Sequence, residues 1–258
     1  MDGSRREFLR AAGLTLVGTA GGSALVALSQ ESGSGGAGHG ATATGKRWAM
    51  VVDLPKLYET GAAQRCVDAC HRVHNVPVFP TAKDEIKWIW TEEFETAFGD
   101  EDNEHLAEIH RHQPVLVLCN HCDNPPCVRV CPTQATWKRE ADGIVMMDWH
   151  RCIGCRYCVV ACPYGSRSFN WRDPRPAIAE VLPEFPTRMR GVVEKCTFCE
   201  ERLVRGQLPA CVEACEQGEI VFGDLEDAAS PVRRLLAERF SIRRKPTLGT
   251  RPQVYYIV

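Results

Sequence analysis

The sequence predicts an α+β fold of two modules set side by side. Two observations carry that expectation. The cysteines fall into clustered motifs that form a pseudo-repeat, and short apolar runs bounded by turn residues alternate with short stretches of helical periodicity. The chain has 258 residues, enough for one large or two small domains with a real core. At 44% hydrophobic and 25% charged it lies near soluble-domain averages, which excludes collagen, coiled-coil, disordered and polytopic membrane classes. A net charge of −2 supplies no basic field, so nucleic acid is not an expected partner. The anomaly is 14 cysteines in a chain too long to need disulfide staples.

Taken in order, the N-terminus reads Ser4-Arg5-Arg6-Glu7-Phe8-Leu9-Arg10 ahead of an uncharged Gly- and Ala-rich run to Leu28. A twin arginine before such a run marks a Tat export signal over residues 1–28, and the run is short for a stable membrane span. Tat cargo crosses the membrane already folded, so thiols occupied by a cofactor beforehand would be protected. Residues 29–45 have linker composition. Ala41-Thr42-Ala43 is a candidate processing site, and an uncleaved anchor is the alternative. Gly33, Gly35 and Gly38 match G-x-G-x-x-G, but no strand precedes them and no helix pattern follows, so a dinucleotide site is not expected.

The folded region is expected over 46–258, opening with a strand at Trp48–Asp53. Residues 83–112 are acidic and expected to be partly helical, with Trp88, Trp90, Phe94 and Phe98 on a buried helical face; a partner-facing stripe is the alternative. Val115–Leu118 reads as a strand, Asp142-Gly143 with Ile144–Met147 as a turn and strand, and Ser230–Arg239 as a helix. The positive charge between Arg233 and Lys245 is expected to be a solvated face.

The cysteines form three complete sets of four and a pair. Cys119, Cys122, Cys127 and Cys131 are spaced C-x2-C-x4-C-x3-C and followed by Pro132. Cys152, Cys155, Cys158 and Cys162 are spaced C-x2-C-x2-C-x3-C and followed by Pro163. Cys196, Cys199, Cys211 and Cys215 are spaced C-x2-C-x11-C-x3-C, and Cys66 and Cys70 form a C-x3-C pair. The 152–162 run matches the bacterial pattern for a [4Fe–4S] cluster. Three thiolates in seven residues wrap one cube, and the fourth, expected at the start of a helix, points at another. Gly154 is expected to let the backbone approach the cluster, and the loop amides to aim at the sulfurs. Competing chemistries are structural zinc, a disulfide framework, and covalent haem at Cys66–His71, which is one residue longer than C-x-x-C-H.

On these residues the chain resembles the four-cluster, ferredoxin-like iron–sulfur subunits of complex iron–sulfur molybdoenzymes and their relatives. The resemblance rests on Cys119–Cys127, Arg151–Cys158, Lys195–Cys199, Leu208–Cys215, Phe222-Gly223-Asp224 and Arg251–Tyr256. Among such subunits it is most similar to the three-cluster, Tat-exported type of the Dsr sulfite-reduction-associated membrane complex. That resemblance implies tandem ferredoxin-like modules in which motifs one and four, and motifs two and three, exchange their last cysteines. One cube would take Cys119, Cys122 and Cys127 with Cys162. A second would take Cys152, Cys155 and Cys158 with Cys131, and a third Cys196, Cys199 and Cys211 with Cys70. The sequence departs from the family at Thr60 and Ala63, where two further ligands are expected, and at Glu216, where a proline is usual. A fourth cube would keep only Cys66 and Cys215 and is expected to be absent. The two are expected to be neighbours, as a disulfide or as buried thiols, with His71 or His74 completing an unusual cluster as the alternative.

The implied function is electron transfer through three [4Fe–4S] clusters, without catalysis. The implied neighbours are an integral-membrane quinone-interacting subunit and an exported partner, for which a multihaem cytochrome c is a candidate. The implied location is the periplasm or the outer face of the membrane. The alternatives are a four-cluster-type subunit of a molybdopterin reductase with an unusual fourth cluster, an enzyme acting at an open iron, and a zinc or disulfide scaffold.

Overall fold

The computed structural model describes residues 45–258 apart from 101–104 and 106. The expected export signal, and the expected linker up to residue 44, lie outside the described residues.

The first strand, β1 (Trp48–Asp53), pairs antiparallel with β8 (Ile220–Asp224) and parallel with β10 (Val254–Ile257). A short edge strand, β9 (Ser241–Ile242), completes a four-stranded sheet in the order β8–β1–β10–β9. β1 is central and covered on both faces, which is why its sequence is an almost unbroken apolar run rather than an alternating one. Met50 and Val52 face the main core, while Ala49 and Val51 pack with Val232 and Ile257 under helix α9 (Pro231–Glu238). That helix comes close because β8 has Gly223 at the contact. A Cβ there would collide with the Ser230 hydroxyl and press on Val232.

Asp53 ends β1 and caps α1 (Leu54–Thr60), accepting from the Lys56 amide at 3.3 Å. Helix α2 (Ala63–Val73) follows and buries Cys66, Val67 and Cys70 on one face. Over 83–112 the expectation of a helical apolar face is corrected. Trp88, Trp90 and Phe98 are buried, but Trp90 belongs to strand β2 (Ile89–Glu93), antiparallel to β3 (Pro114–Leu118) with Trp90 opposite Val117. Among the described residues there, the helical pieces are a 3-10 turn at Ala82–Asp84, α3 (Phe94–Ala97) and α4 (Glu108–Arg111). The aromatic and β-branched Trp88–Thr91 run finds an apolar strand to pair with, and that outweighs its helical spacing.

The remaining elements are short: α5 (Pro126–Arg129), the hairpin β4 (Thr136–Lys138) with β5 (Val145–Met147), α6 (Tyr157–Ala161), the pair β6 (Ser168–Phe169) and β7 (Val193–Glu194), then α7 (Glu200–Leu203) and α8 (Ala210–Glu213). The architecture is α+β, with small sheets and single-turn helices around the cysteine loops. The basic stretch 233–245 is not wholly solvated. Arg244 is buried, donating to Glu92 at 2.8 Å and to the Ala97 carbonyl at 3.1 Å, and so ties β9 to β2.

Candidate metal centres

The thiols gather within the core in three groups. Cys119, Cys122, Cys127 and Cys162 line one cavity together with Pro125, Tyr164 and Arg167. Cys131, Cys152, Cys155 and Cys158 line a second, with Ile153, Gly154 and Arg156. Cys70, Cys196, Cys199 and Cys211 are all buried. Burial pushes the Cys70 thiol well up, and the nearby Cys199, Cys196 and Cys211 push it further. In each group three members come from one motif and the fourth from another. That fourth cysteine does not start a helix, as its spacing suggested. Cys162 caps the C-terminal end of α6, and Cys131 follows α5. The single helical turn is a spacer that carries the last thiol away from its loop.

Burial also raises Cys122, to about 12, with Cys119, Cys127 and Cys162 adding to the rise. It raises Cys211 to about 12 as well. Thiols raised in this way stay protonated unless positive charge joins them, and a cationic iron core is what such a donor set accepts. Backbone amides add to the fit. The Phe198 amide reaches Cys196 sulfur at 3.4 Å, and the Ala210 amide reaches Cys199 sulfur at 3.4 Å. At Cys131 burial works to raise the thiol, but amides of Thr136, Thr133 and Ala135 with the Thr133 hydroxyl outweigh it and bring it down. Gly154 makes its close approach to a neighbouring loop rather than to a sulfur. Its φ is +69°, and a Cβ would collide with the Gly191 carbonyl oxygen.

Two buried cations stand between the groups, and neither carries a sequence signal. Arg167, 4% exposed, donates to Cys127 sulfur at 3.1 Å and to the Thr136 hydroxyl at 2.8 Å. Burial opposes its charge, but Cys127, Cys158, Cys119 and Cys162 push its pKa further up, which places it between the first and second groups. Lys195 is fully buried and donates to the carbonyls of Val145 and of Cys196, the latter at 2.6 Å. Burial lowers its pKa, and Cys119, Cys196 and Cys127 oppose that, which places it between the first and third groups. The Cys196 thiol is raised by burial and then by Cys119. The first group therefore neighbours both of the others, giving a row in order of contact: second, first, third.

Cys66 and Cys215 form a disulfide, their Cα atoms 6.4 Å apart, between α2 and the end of α8. His71 faces the Ile89 carbonyl at 3.2 Å. His74 lies against the Cys70 carbonyl at 2.8 Å, meets Glu201 at 3.2 Å and stacks on Trp88. With Cys199 and Glu201 it forms a compact set of possible metal donors beside the third group. A second buried network was not legible either. Arg188 pairs with Glu194 at 2.7 Å and donates to the carbonyls of His74 and Asn75, while Trp88 and Asn170 also donate to Glu194. It clamps the loop after α2 to β7.

The second group reaches the surface, with Cys131, Cys152 and Cys155 partly exposed. Ile153, Tyr157, Val160 and Trp171 are exposed around it, Val160 at 88%, and Arg156 lies over the Trp171 ring at 4.6 Å.

Comparison with known proteins gives the same chemistry. Family models described as 4Fe–4S dicluster domains match residues 114–176 and 151–219. The chain is 41% identical to Hdr-like menaquinol oxidoreductase iron–sulfur subunit 1 of Archaeoglobus fulgidus, over 82% of this chain and 83% of that one. The chain belongs to the 4Fe–4S dicluster iron–sulfur subunits of oxidoreductase complexes. Other members include the menaquinone reductase iron–sulfur cluster-binding subunit of Nitratidesulfovibrio vulgaris, 38% identical over 82% of this chain and 88% of that one. A subunit of the tetrathionate reductase of Salmonella typhimurium is 36% identical over 100% of this chain and 89% of that one. As a member of this family the chain binds [4Fe–4S] clusters and transfers electrons; it is not a catalytic subunit. A disulfide framework does not describe it, since twelve of its cysteines are free thiols. The thiol of Cys66 is engaged in the disulfide, which leaves a covalent haem no second attachment there.

Proposed function

We propose that the chain relays electrons through three [4Fe–4S] clusters, held by the twelve free cysteines in the groups just described. Each cluster supplies one-electron exchange when bound. The protein's own part is to fix the spacing, exclude water and set the charge around the sulfurs. Cys162, Cys131 and Cys70, each lent from one motif to a neighbouring group, tie the row together. Arg167 and Lys195 offset part of the negative charge that an anionic cluster brings into the core.

The observation that carries this reading is the contrast between three groups of four thiols and one disulfide. Cys66 and Cys215 are joined to each other, and the twelve free cysteines are the number that three cubes of four ligands use, which supports a count of three. Anaerobically purified protein is expected to hold about twelve irons and as many acid-labile sulfides, four per cluster. A value close to sixteen overturns the count and favours the second reading, a four-cluster-type subunit of a molybdopterin reductase. The likeness to subunits of the tetrathionate and selenate reductases is what favours that alternative.

The apolar rim at Ile153, Tyr157 and Val160 supports docking of an integral-membrane quinone-interacting subunit at the second group. Among the described residues no helix is long and apolar enough to cross a membrane. An exported partner, with a multihaem cytochrome c as the candidate, completes the circuit. The twin-arginine start supports export to the periplasmic side, and the Dsr-type resemblance supports a place in sulfur metabolism. EPR during a redox titration, with the complex captured from membranes, tests cluster number, type and neighbours together.

A further inference from the structure

Helices α2 and α8 treat their cysteines alike. Cys70 and Cys211 go to the third thiol group, while Cys66 and Cys215, each four residues away, go to the disulfide. Four helical residues advance about 6 Å. On α2 the disulfide therefore sits one turn from Cys70 of the third group, and on the other side Cys215 follows the C-terminal end of α8, which carries Cys211 of the same group. Its sulfurs are enclosed: Cys66 is 0% and Cys215 5% exposed. Thiol–disulfide exchange requires an attacking thiolate to reach a sulfur, and burial closes that route. Electron transfer from an adjacent buried carrier requires no such access.

We infer that Cys66–Cys215 is a redox-active terminus of the relay that stores an electron pair, as well as a cross-link between α2 and α8. The inference rests on reading Cys70, Cys196, Cys199 and Cys211 as cluster ligands. In the reducing direction two electrons arrive singly through that third group and the S–S bond breaks. Each sulfur gains one electron and one proton from water, giving two thiols. In the oxidising direction the two thiols release two protons to water, the S–S bond forms, and two electrons return along the row. A conductor that moves single electrons thus ends on a group that takes them in twos.

The test uses the full, cluster-loaded chain under anaerobic conditions. It is reduced with dithionite and methyl viologen, followed by EPR, and samples are quenched in acid with an alkylating reagent. Mass spectrometry then reads whether the Cys66 and Cys215 peptides are linked or alkylated. Linkage is expected to be lost once the clusters are reduced and to return on reoxidation, while dithiothreitol alone leaves it intact over the same period. Uptake is expected to be about five electron equivalents, falling to about three in the Cys66→Ser/Cys215→Ser variant. Peptides still linked when every cluster signal shows reduction overturn the inference and leave the cluster reading standing. Equal loss of linkage under dithiothreitol alone also overturns it, because exchange then has access. Absence of any cluster signal removes both readings. The peptide readout needs no variant, so it holds even if the double substitution fails to fold.

Discussion

The Arg167 guanidinium meets the Cys127 sulfur at 3.1 Å from a position almost wholly closed to solvent. A fixed positive charge there favours the reduced, more negative state of any cluster beside it. At an effective dielectric of 20, a unit charge about 6 Å away is worth about 3 kcal/mol, or on the order of 100 mV for one electron. Arg167→Met is expected to lower the potentials of the first and second clusters by that order and to leave the third nearly unchanged. Redox titration followed by EPR checks it, and Arg167→Lys should recover part of the shift.

Lys195 makes the complementary case. Its strongest couplings to thiols are with Cys119 and Cys127 of the first group and Cys196 of the third. Lys195→Met should therefore lower the first and third potentials and spare the second. If both substitutions move all three clusters equally, the row order is wrong.

Arg188 and Glu194 form an ion pair with both side chains at 0% exposure. Removing one partner strands a buried charge, and Arg188→Ala is expected to cost about 3–5 kcal/mol. Denaturant unfolding of the cluster-loaded protein measures it. The paired change Arg188→Met with Glu194→Gln should cost less, because no carboxylate is left without its counter-ion.

Gly154 tests the second group by itself. Alanine there must adopt a φ of +69° and collides with the Gly191 carbonyl. Gly154→Ala is expected to remove about one cluster in three, seen as a loss of roughly four irons per chain and of one EPR component. Iron analysis showing full loading would mean the loop relaxes without losing its hold.

What could be read from the sequence was local. The spacing at 152–162 shows that three thiols share one loop, and the apolar runs at 48–53 and 115–118 become β1 and β3. The turn at Asp142-Gly143 leads into β5, and the 230–239 periodicity becomes α9. Which fourth cysteine joins which loop is a long-range matter, and only the family resemblance suggested it. Arg167 and Lys195 are single cations in loops, where no periodicity distinguishes a buried charge from a surface one. The 83–112 segment misled because Trp88, Trp90, Phe94 and Phe98 match a helical stripe, while the strand that captures Trp90 begins more than twenty residues later, at Pro114.

The pairing of β1 with β10 bears on how the molecule is made. The first and second thiol groups draw only on residues 119–162, so all their cysteines are present before β8 and β10 have been synthesised. The central sheet must wait for Val254–Ile257, about two hundred residues after β1 in the chain, and the third group waits for Cys211. Long-range closure of this kind is slow. A nascent chain truncated after translation of α6 would already present two sites for iron delivery while its N-terminal strand still lacked neighbours on both edges. On this topology the thiol loops at 119–162 can close before β1 acquires either of its neighbours.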